Sequence, residues 1–183
     1  EIGFGCGPTA GLIVSASCQE RREAVARALD LGITYFDTAS VYADGVSENH
    51  LGETLSDLEV RPVVGTKVVI GEDELDDVSG AVIRCFEGSL KRLRLDSVDI
   101  LHLHNRLAVQ RVEGSNVGIG PLLSVDDLLG PGGVLDAFEK LRDQGKTRSL
   151  GICSFGGEVP AINQAIDTDR FQSLLAYYNI LNP

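Results

Sequence analysis

The sequence has little positive charge: 16 lysine and arginine residues stand against 27 aspartate and glutamate residues, and the formal net charge is −11. Nucleic acids and anionic membranes are bound mainly through clusters of basic side chains. The deficit therefore argues against both kinds of partner, and the acidity is most simply an aid to solubility. The composition otherwise resembles that of soluble globular proteins, with 43% hydrophobic and 23% charged residues.

The sequence also lacks paired cysteines and a leader. Cys6, Cys18, Cys85 and Cys153 form no CxxC pair and have no metal-ligand spacing. We therefore expect reduced thiols and no bound metal. The chain begins directly in a strand-like run, with no signal peptide and no apolar run long enough to span a bilayer. These absences predict a cytoplasmic protein without a membrane partner.

What the sequence does contain is a regular alternation of short apolar runs and helical stretches. The predicted strands lie at 2–7, 34–37, 62–67, 98–104, 148–153 and 171–180. The predicted helices lie at 17–31, 47–58, 76–93, 133–144 and 161–166. Ser17 and Glu20 have capping-box spacing, Gly32 is the expected stop of the first helix, and Ser47 is the expected cap of the second. A loop of unusual length runs from 105 to about 123.

Strands that alternate with helices predict βαβ units and a parallel sheet. An open dinucleotide-binding sheet would need GxGxxG where the first strand turns into a helix. The stretch GFGCG at 3–7 contains only GxGxG and precedes the first helix by nearly ten residues. We therefore predict a single α/β domain over 1–183, a (β/α)8 TIM barrel that is incomplete at its C-terminus. About six of its βα units are present.

Ionisable side chains stand at the ends of three successive predicted strands, where a barrel collects its catalytic groups. Asp37 ends the second strand, with Tyr42 five residues later; Lys67 ends the third strand and His104 the fourth. An ammonium stabilises a nearby phenolate, and a neutral imidazole can donate a hydrogen bond to a substrate oxygen. Together they predict a proton donor beside a carbonyl, with a nicotinamide as the source of hydride. His102 lies on the same strand face, so periodicity leaves both histidines open.

These residues stand in four stretches of sequence: GITYFDTASVY (32–42) with SE (47–48) and LG (51–52), GTK (65–67), VDILHLH (98–104), and GK through GICSF (145–155). In this order, the stretches resemble the aldo-keto reductase family. The stretches LLGPGGVL (128–135) and YYNILNP (177–183) further resemble a subgroup that includes aldose and pyridoxal dehydrogenases. The match of the fourth strand to the family favours His104 over His102.

The resemblance implies an NAD(P)-dependent oxidoreductase that interconverts a carbonyl (an aldehyde, ketone or sugar) and an alcohol by direct hydride transfer, without a metal. Tyr42 would be the acid in reduction and the base in oxidation. Lys67, paired with Asp37, would stabilise the Tyr42 phenolate. His104 would orient the substrate carbonyl.

The resemblance also implies contacts with NADP or NAD, although the chain departs from the family pattern there. The candidate cofactor contacts are Gly5, Cys6, Asp37, Cys153 and Ser154. The family usually has Ser-Asn at the positions of Cys153 and Ser154, and glutamine at the position of Leu175. A cysteine is a weak hydrogen-bonding group, so Ser154 or backbone groups would hold the nicotinamide amide.

Six strands would leave two open sheet edges, which favour pairing with another chain. The resemblance places the segments that bind the adenosine phosphates and stack on the nicotinamide beyond the sixth strand. We therefore expect these 183 residues alone to bind a dinucleotide weakly or not at all. A fragment of a longer enzyme is favoured; the alternatives are two copies that complete each other, or an inactive copy acting as a binding or regulatory module. A barrel lyase or isomerase with Lys67 as Schiff-base amine is a further alternative.

Overall fold

The computed structural model describes residues 2–9, 11–111, 119–156 and 158–177. Part of the long loop, the end of the last predicted strand and all but the first residue of YYNILNP lie outside the described residues. The chain forms two compact units, one of Glu1–Lys67 with Phe86–Asp99 and one of Val68–Cys85 with Ile100–Pro183. The single domain over 1–183 stays a prediction.

The first unit contains three parallel strands and the helices that follow them. Its elements are β1 (Gly3–Gly5), α1 (Leu12–Ser15), α2 (Cys18–Asp30), β2 (Tyr35–Asp37), α3 (Val46–Asp57), β3 (Val63–Val68) up to Lys67, and the second half of α4 (Val78–Leu93). The strands are hydrogen-bonded in the order β1-β2-β3, and both pairs are parallel.

The second unit continues the same alternation. Its elements are a 3-10 turn (Glu72–Asp77), the first half of α4, most of β4 (Val98–Leu103), β5 (Leu107–Ala108), β6 (Leu123–Ser124), α5 (Val125–Leu129), α6 (Val134–Asp143), β7 (Thr147–Ser154), α7 (Val159–Ile166) and β8 (Ser173–Ala176). Here the hydrogen-bonded order is β4-β7-β8, and β7 pairs with β8 in parallel.

Every predicted helix and the first five predicted strands are confirmed within two residues at their ends. The sixth strand, predicted over 171–180, is observed at Ser173–Ala176, and residues 178–180 lie outside the described residues. Among the described residues, the structure adds five short elements that the sequence did not predict: α1, the 3-10 turn at Glu72–Asp77, α5, and the pair β5 and β6. The pair lies inside the segment predicted as an irregular loop, where Leu107 and Leu123 are register partners and are both buried. Two isolated apolar residues are too short a pattern to predict strands.

The start of α2 is confirmed and the start of α3 is not. Ser17 caps α2 in a capping box with Glu20. The predicted Ser47 cap is wrong: α3 begins at Val46 after Gly45, whose φ of 84° is readily adopted by glycine. Ser47 is buried inside the first turn of the helix, and its hydroxyl donates a hydrogen bond of 2.8 Å to the Cys6 carbonyl oxygen. The serine therefore ties α3 to the residue after β1.

The LG pair of the matched signature has a packing reason. Leu51 is fully buried, and a Cβ added at Gly52 would lie 2.5 Å from the backbone carbonyl of Leu93. Only a glycine allows α3 to approach the end of α4 this closely. The same unit contains a stacked pair of Phe4 and Phe36, with ring centroids 5.2 Å apart. These contacts fix the strands that carry Asp37 and Lys67.

Candidate active site

Asp37 and Lys67 lie on one face of neighbouring parallel strands. Asp37 ends β2 and is the register partner of Gly65 on β3. Side chains alternate between the faces of a strand, so Lys67, two residues beyond Gly65, has its side chain on the same face as Asp37. The parallel register thus brings a carboxylate and an amine to the same ends of two adjacent strands.

Lys67 is the centre of the group. Its side chain is only 3% exposed, which requires a set of hydrogen-bond partners for the charge. The ammonium nitrogen lies 2.7 Å from Asp37 Oδ2, 2.8 Å from the Thr38 carbonyl oxygen and 3.3 Å from the Tyr42 hydroxyl. An ammonium has three hydrogens, so these three acceptors use its full donor capacity.

Tyr42 is held against this ammonium by the loop between β2 and α3. The Tyr42 amide donates to the Ala39 carbonyl oxygen, and the Ser40 hydroxyl donates to the Lys67 carbonyl oxygen at 2.9 Å. The Lys67 nitrogen also lies 4.8 Å from the centroid of the Tyr42 ring. The Tyr42 oxygen thus accepts a hydrogen bond from the Lys67 ammonium.

The turn after β1 borders this group and has open space beside it. Gly5 is the register partner of Asp37, and a Cβ at Gly5 would meet no atom within 4 Å. Cys6, in contrast, is buried, and its amide donates to the Asp37 carbonyl oxygen at 2.8 Å. Burial and the Asp37 charge raise the pKa of the Cys6 thiol to about 12, partly offset by Lys67. Gly5 therefore has open space beside it, whereas Cys6 is buried and both its amide and its carbonyl oxygen are already hydrogen-bonded.

His104 belongs to the second unit and follows β4 directly. It is buried, its amide donates to the Val68 carbonyl oxygen at 2.9 Å, and its ring lies against Phe155 with centroids 5.8 Å apart. His102 is fully buried one layer below, where Nε2 is 2.9 Å from the Ser173 hydroxyl. His102 is thus engaged between strands of the sheet. The grouping of His104 with Asp37, Tyr42 and Lys67 stays a prediction.

Asn105, next to His104, fixes the start of the long loop. Its side chain is buried; Oδ1 accepts from the Ile70 amide at 2.8 Å, and Nδ2 donates to the carbonyl oxygens of Ile70 and Pro121. All three bonds lie within the second unit. They hold the chain after β4 and the chain before β6 to the residues that follow β3.

Cys153 and Ser154 end β7, as the sequence predicted. Cys153 is buried and is the register partner of Leu175 on β8, so the two departures from the family pattern are neighbours. Ser154 is partly exposed, and its hydroxyl is 3.5 Å from Glu158 Oε2. Glu158 is buried and forms an ion pair with Arg106. Of Cys153 and Ser154, only Ser154 has a side chain suited to hydrogen-bond a carboxamide. The contacts with the cofactor stay predictions.

Two residues of the first unit were missed at the sequence level. The Thr38 carbonyl oxygen accepts from Lys67, and the Tyr35 hydroxyl donates to Asp37 Oδ1 at 3.1 Å. The backbone contact leaves no trace in the sequence. Tyr35, however, stands two residues before Asp37 on the same strand face, a spacing that could have predicted a contact.

Within the described ranges, no group of three or more histidine, cysteine, aspartate or glutamate side chains is arranged to hold a metal ion. No helix in that part of the chain combines the length and the apolar character needed to cross a membrane.

Parallel βα units, with a buried lysine paired to an aspartate beside a tyrosine at the strand ends, define the class of this protein. The chain belongs to the aldo/keto reductase family, whose model matches residues 1–183. It is 32% identical to L-galactose dehydrogenase of Arabidopsis thaliana, over 82% of this chain and 43% of that protein. It is 25% identical to pyridoxal 4-dehydrogenase of Microbacterium luteolum, over 82% of this chain and 51% of that protein. These two relatives agree with the predicted subgroup resemblance.

Solved structures agree on the fold. The aldo-keto reductase AKR11C1 of Bacillus halodurans (holo form) matches with a TM-score of 0.72 and 25% identity, over 97% of this chain and 53% of that one. An aldo-keto reductase from Klebsiella pneumoniae in complex with NADPH matches with a TM-score of 0.67 and 26% identity, over 96% and 53%. The predicted (β/α)8-type fold class, with about six βα units in this chain, is confirmed. The chain spans about half the length of the relatives it matches.

Proposed function

We propose that the protein is an NAD(P)-dependent oxidoreductase that interconverts a carbonyl and an alcohol, with Tyr42 as the general acid and base. The observation that carries the proposal is the set of three acceptors around the Lys67 nitrogen. A buried ammonium whose third hydrogen bond goes to a tyrosine hydroxyl favours the phenolate form of that tyrosine. Such a tyrosine can release and regain a proton during catalysis at neutral pH.

Each residue of the first unit has a distinct part in this proposal. Tyr42 donates its hydroxyl proton to the carbonyl oxygen as the alcohol forms, and withdraws it in the reverse reaction. Lys67 stabilises the phenolate that remains, because its hydrogen bond to Tyr42 is stronger to an anion than to a neutral phenol. Asp37 keeps the ammonium charged and in place at 2.7 Å.

His104 is proposed to orient the substrate. A neutral imidazole can donate one ring N–H to the carbonyl oxygen and thereby fix its direction relative to Tyr42. The adjoining Phe155 ring limits how far the imidazole can turn. This role requires that His104 and Tyr42 face the same ligand.

The cofactor is proposed to be NADP or NAD. A bound nicotinamide supplies or accepts the hydride, which none of the amino-acid side chains can do. Gly5 leaves room for a planar ring beside Asp37, and Ser154 offers a hydroxyl for the ring's carboxamide. The NADPH complex of the Klebsiella pneumoniae relative supports this assignment.

The substrate is proposed to be a small carbonyl compound or a sugar, as the names of the two dehydrogenase relatives suggest. A Schiff-base role for Lys67 is not favoured, because an imine forms from a free amine, whereas this nitrogen is buried and engaged with three acceptors. A non-catalytic binding role is likewise not favoured, since the lysine, the aspartate and the tyrosine form one hydrogen-bonded group.

Turnover by the complete product of the gene tests the proposal. The assay follows nicotinamide absorbance with NADPH or NADH and a panel of small aldehydes, pyridoxal and, for the oxidative direction with NADP⁺ or NAD⁺, L-galactose. We expect substrate-dependent oxidation or reduction of the nicotinamide with at least one pair. Cofactor binding without turnover of any panel member would overturn it.

A further inference from the structure

The hydroxyl of Tyr35 contacts the one oxygen of Asp37 that Lys67 does not use. Tyr35 donates to Asp37 Oδ1 at 3.1 Å, and Lys67 donates to Asp37 Oδ2 at 2.7 Å. A carboxylate held at only one oxygen can rotate about its last side-chain bond, which is a soft torsion. With both oxygens held from different directions, the plane of the Asp37 carboxylate is fixed.

The strands on both sides of β2 leave room for the Tyr35 ring. A Cβ added at Gly3 on β1 would lie 2.7 Å from Tyr35 Cδ1, and a Cβ added at Gly65 on β3 would lie 2.5 Å from its hydroxyl oxygen. Gly3 is the register partner of Tyr35, and Gly65 that of Asp37. The ring thus begins beside Gly3 and leans toward the strand ends, and its hydroxyl reaches the space that Gly65 leaves beside Asp37.

These bonds form one continuous chain of contacts from Tyr35 to Tyr42. Tyr35 donates to Asp37, Asp37 accepts from Lys67, and Lys67 donates to the Tyr42 hydroxyl. We propose that Tyr35 is a positioning residue, which fixes the Asp37 carboxylate and through it the Lys67 ammonium against the Tyr42 hydroxyl. The inference deepens the proposed function and rests on it only for its catalytic consequence.

The hydrogen bond from Tyr35 also affects the charge of the Asp37 carboxylate. A hydrogen bond from Tyr35 disperses part of the negative charge of Asp37. Without it, the Asp37 charge acts more strongly on Lys67 and on any phenolate that forms at Tyr42. The Tyr42 phenolate is then harder to form, although Tyr35 and Tyr42 act only through the intervening pair.

The test is a pH titration of the Tyr42 ring-carbon signal by NMR, in the complete gene product labelled at tyrosine Cζ. The chain has four tyrosines, and Tyr42→Phe identifies the signal. We expect Tyr35→Phe to raise the midpoint of the Tyr42 signal by several tenths of a pH unit and to leave the Tyr177 signal unchanged. In an Asp37→Ala background, Tyr35→Phe has no such effect, because the connecting carboxylate is gone.

Asp37, Lys67 and Cys6 are ionisable groups of the first unit that bear on this measurement. The charged neighbours in the path are Asp37 and Lys67, and the buried Cys6 thiol stays protonated until about pH 12 because its pKa is raised. If Tyr35→Phe fails to fold, Gly65→Ala breaks the same hydrogen bond by another route. The added Cβ would push the Tyr35 hydroxyl away from Asp37. We expect the same upward shift of the Tyr42 midpoint from that variant.

Steady-state turnover is a second, separate test of the Tyr35 role. Tyr35→Phe is expected to lower kcat about 10-fold, as for a displaced catalytic group, while the Kd for NADPH changes by less than about twofold. An unchanged Tyr42 midpoint, or an equal rise in the Asp37→Ala background, overturns the positioning role whether or not the wild type turns over. Absence of turnover in the wild type, with the midpoint shift present, contradicts only the proposed function.

Discussion

The ammonium nitrogen of Lys67 lies 3.3 Å from the hydroxyl oxygen of Tyr42, at the end of a buried strand. The lysine reaches this position because β3 is parallel to β2 and in register with it, which places its side chain beside Asp37. A buried lysine needs compensation for the loss of water, and the Asp37 carboxylate provides it. Tyr42 therefore lies beside the Lys67 charge, and the pairing of β2 with β3 fixes the position of that charge.

Replacement of Lys67 by methionine tests this dependence. Methionine fills a similar volume without charge, so we expect turnover to fall by about 100-fold, as for loss of a group that stabilises charge in the transition state. Stability should fall by about 2 kcal/mol, less than for a fully buried pair because Asp37 is partly exposed. Thermal unfolding and steady-state kinetics measure both effects. Lys91→Met, at an exposed position on α4, is the matched control; equal effects of the two substitutions would contradict the account.

The four cysteines are expected to react at different rates. Cys18 is exposed and Cys6 is buried, and the pKa of the Cys6 thiol is raised to about 12 by burial and by the Asp37 charge. Only the thiolate reacts with an alkylating agent, so Cys6 should remain unmodified at pH 8 and react only as the pH approaches about 12. Peptide mass spectrometry after brief iodoacetamide treatment measures this.

Unfolding in urea before alkylation is the control, because all four cysteines should then react. Because the folded-state pKa of Cys6 lies above its ordinary value of 9.0, this group contributes stability below about pH 9 that is lost as the pH rises toward 12. Rapid alkylation of Cys6 in the folded protein at pH 8 would be inconsistent with its burial beside Asp37.

A glycine-to-alanine pair tests the close packing in the first unit. Gly52→Ala places a Cβ 2.5 Å from the Leu93 carbonyl, and overpacking of this kind costs about 1–3 kcal/mol. Gly88→Ala, also within a helix, would meet only the flexible end of Arg92 at 3.1 Å. It should be neutral or stabilising, because alanine is the better helix former by about 1 kcal/mol. Thermal unfolding measures both; a stable Gly52→Ala variant would show that α3 and α4 are not in such close contact.

Much of the fold could be predicted from the sequence because its repeating pattern is strong. Apolar runs, all but the last followed by a helical period, predicted the positions of the strands β1, β2, β3, β4, β7 and β8. The short elements could not be predicted, because β5 and β6 are two residues each and depend on pairing across the intervening loop. The error at Ser47 has a clear cause: its hydroxyl bonds the Cys6 carbonyl instead of a helix amide, and a tertiary contact of this kind has no local pattern.

The candidate site, too, could be predicted only in part. Strand-end positions were sufficient to select Asp37 and Lys67, because parallel strands end at one edge. The exact contacts were not predictable: Thr38 binds through its backbone, and Tyr35 reaches Asp37 only because Gly3 and Gly65 leave space for its ring. Such space is a property of three strands together, and no single stretch of sequence displays it.

Replacement of Tyr42 by phenylalanine tests the central claim most directly. The substitution removes the hydroxyl that Lys67 contacts and retains the aromatic ring. This ring lies beside Gly7, where an added Cβ would be 3.5 Å from Tyr42 Cε2. In the complete gene product, with NADPH and the best substrate of the panel, we expect kcat to fall by about 100-fold or more, as for loss of a general acid, while NADPH fluorescence titrates with an unchanged Kd. Wild-type turnover in Tyr42→Phe would contradict the assignment of Tyr42, and with it the function proposed for the group around Lys67.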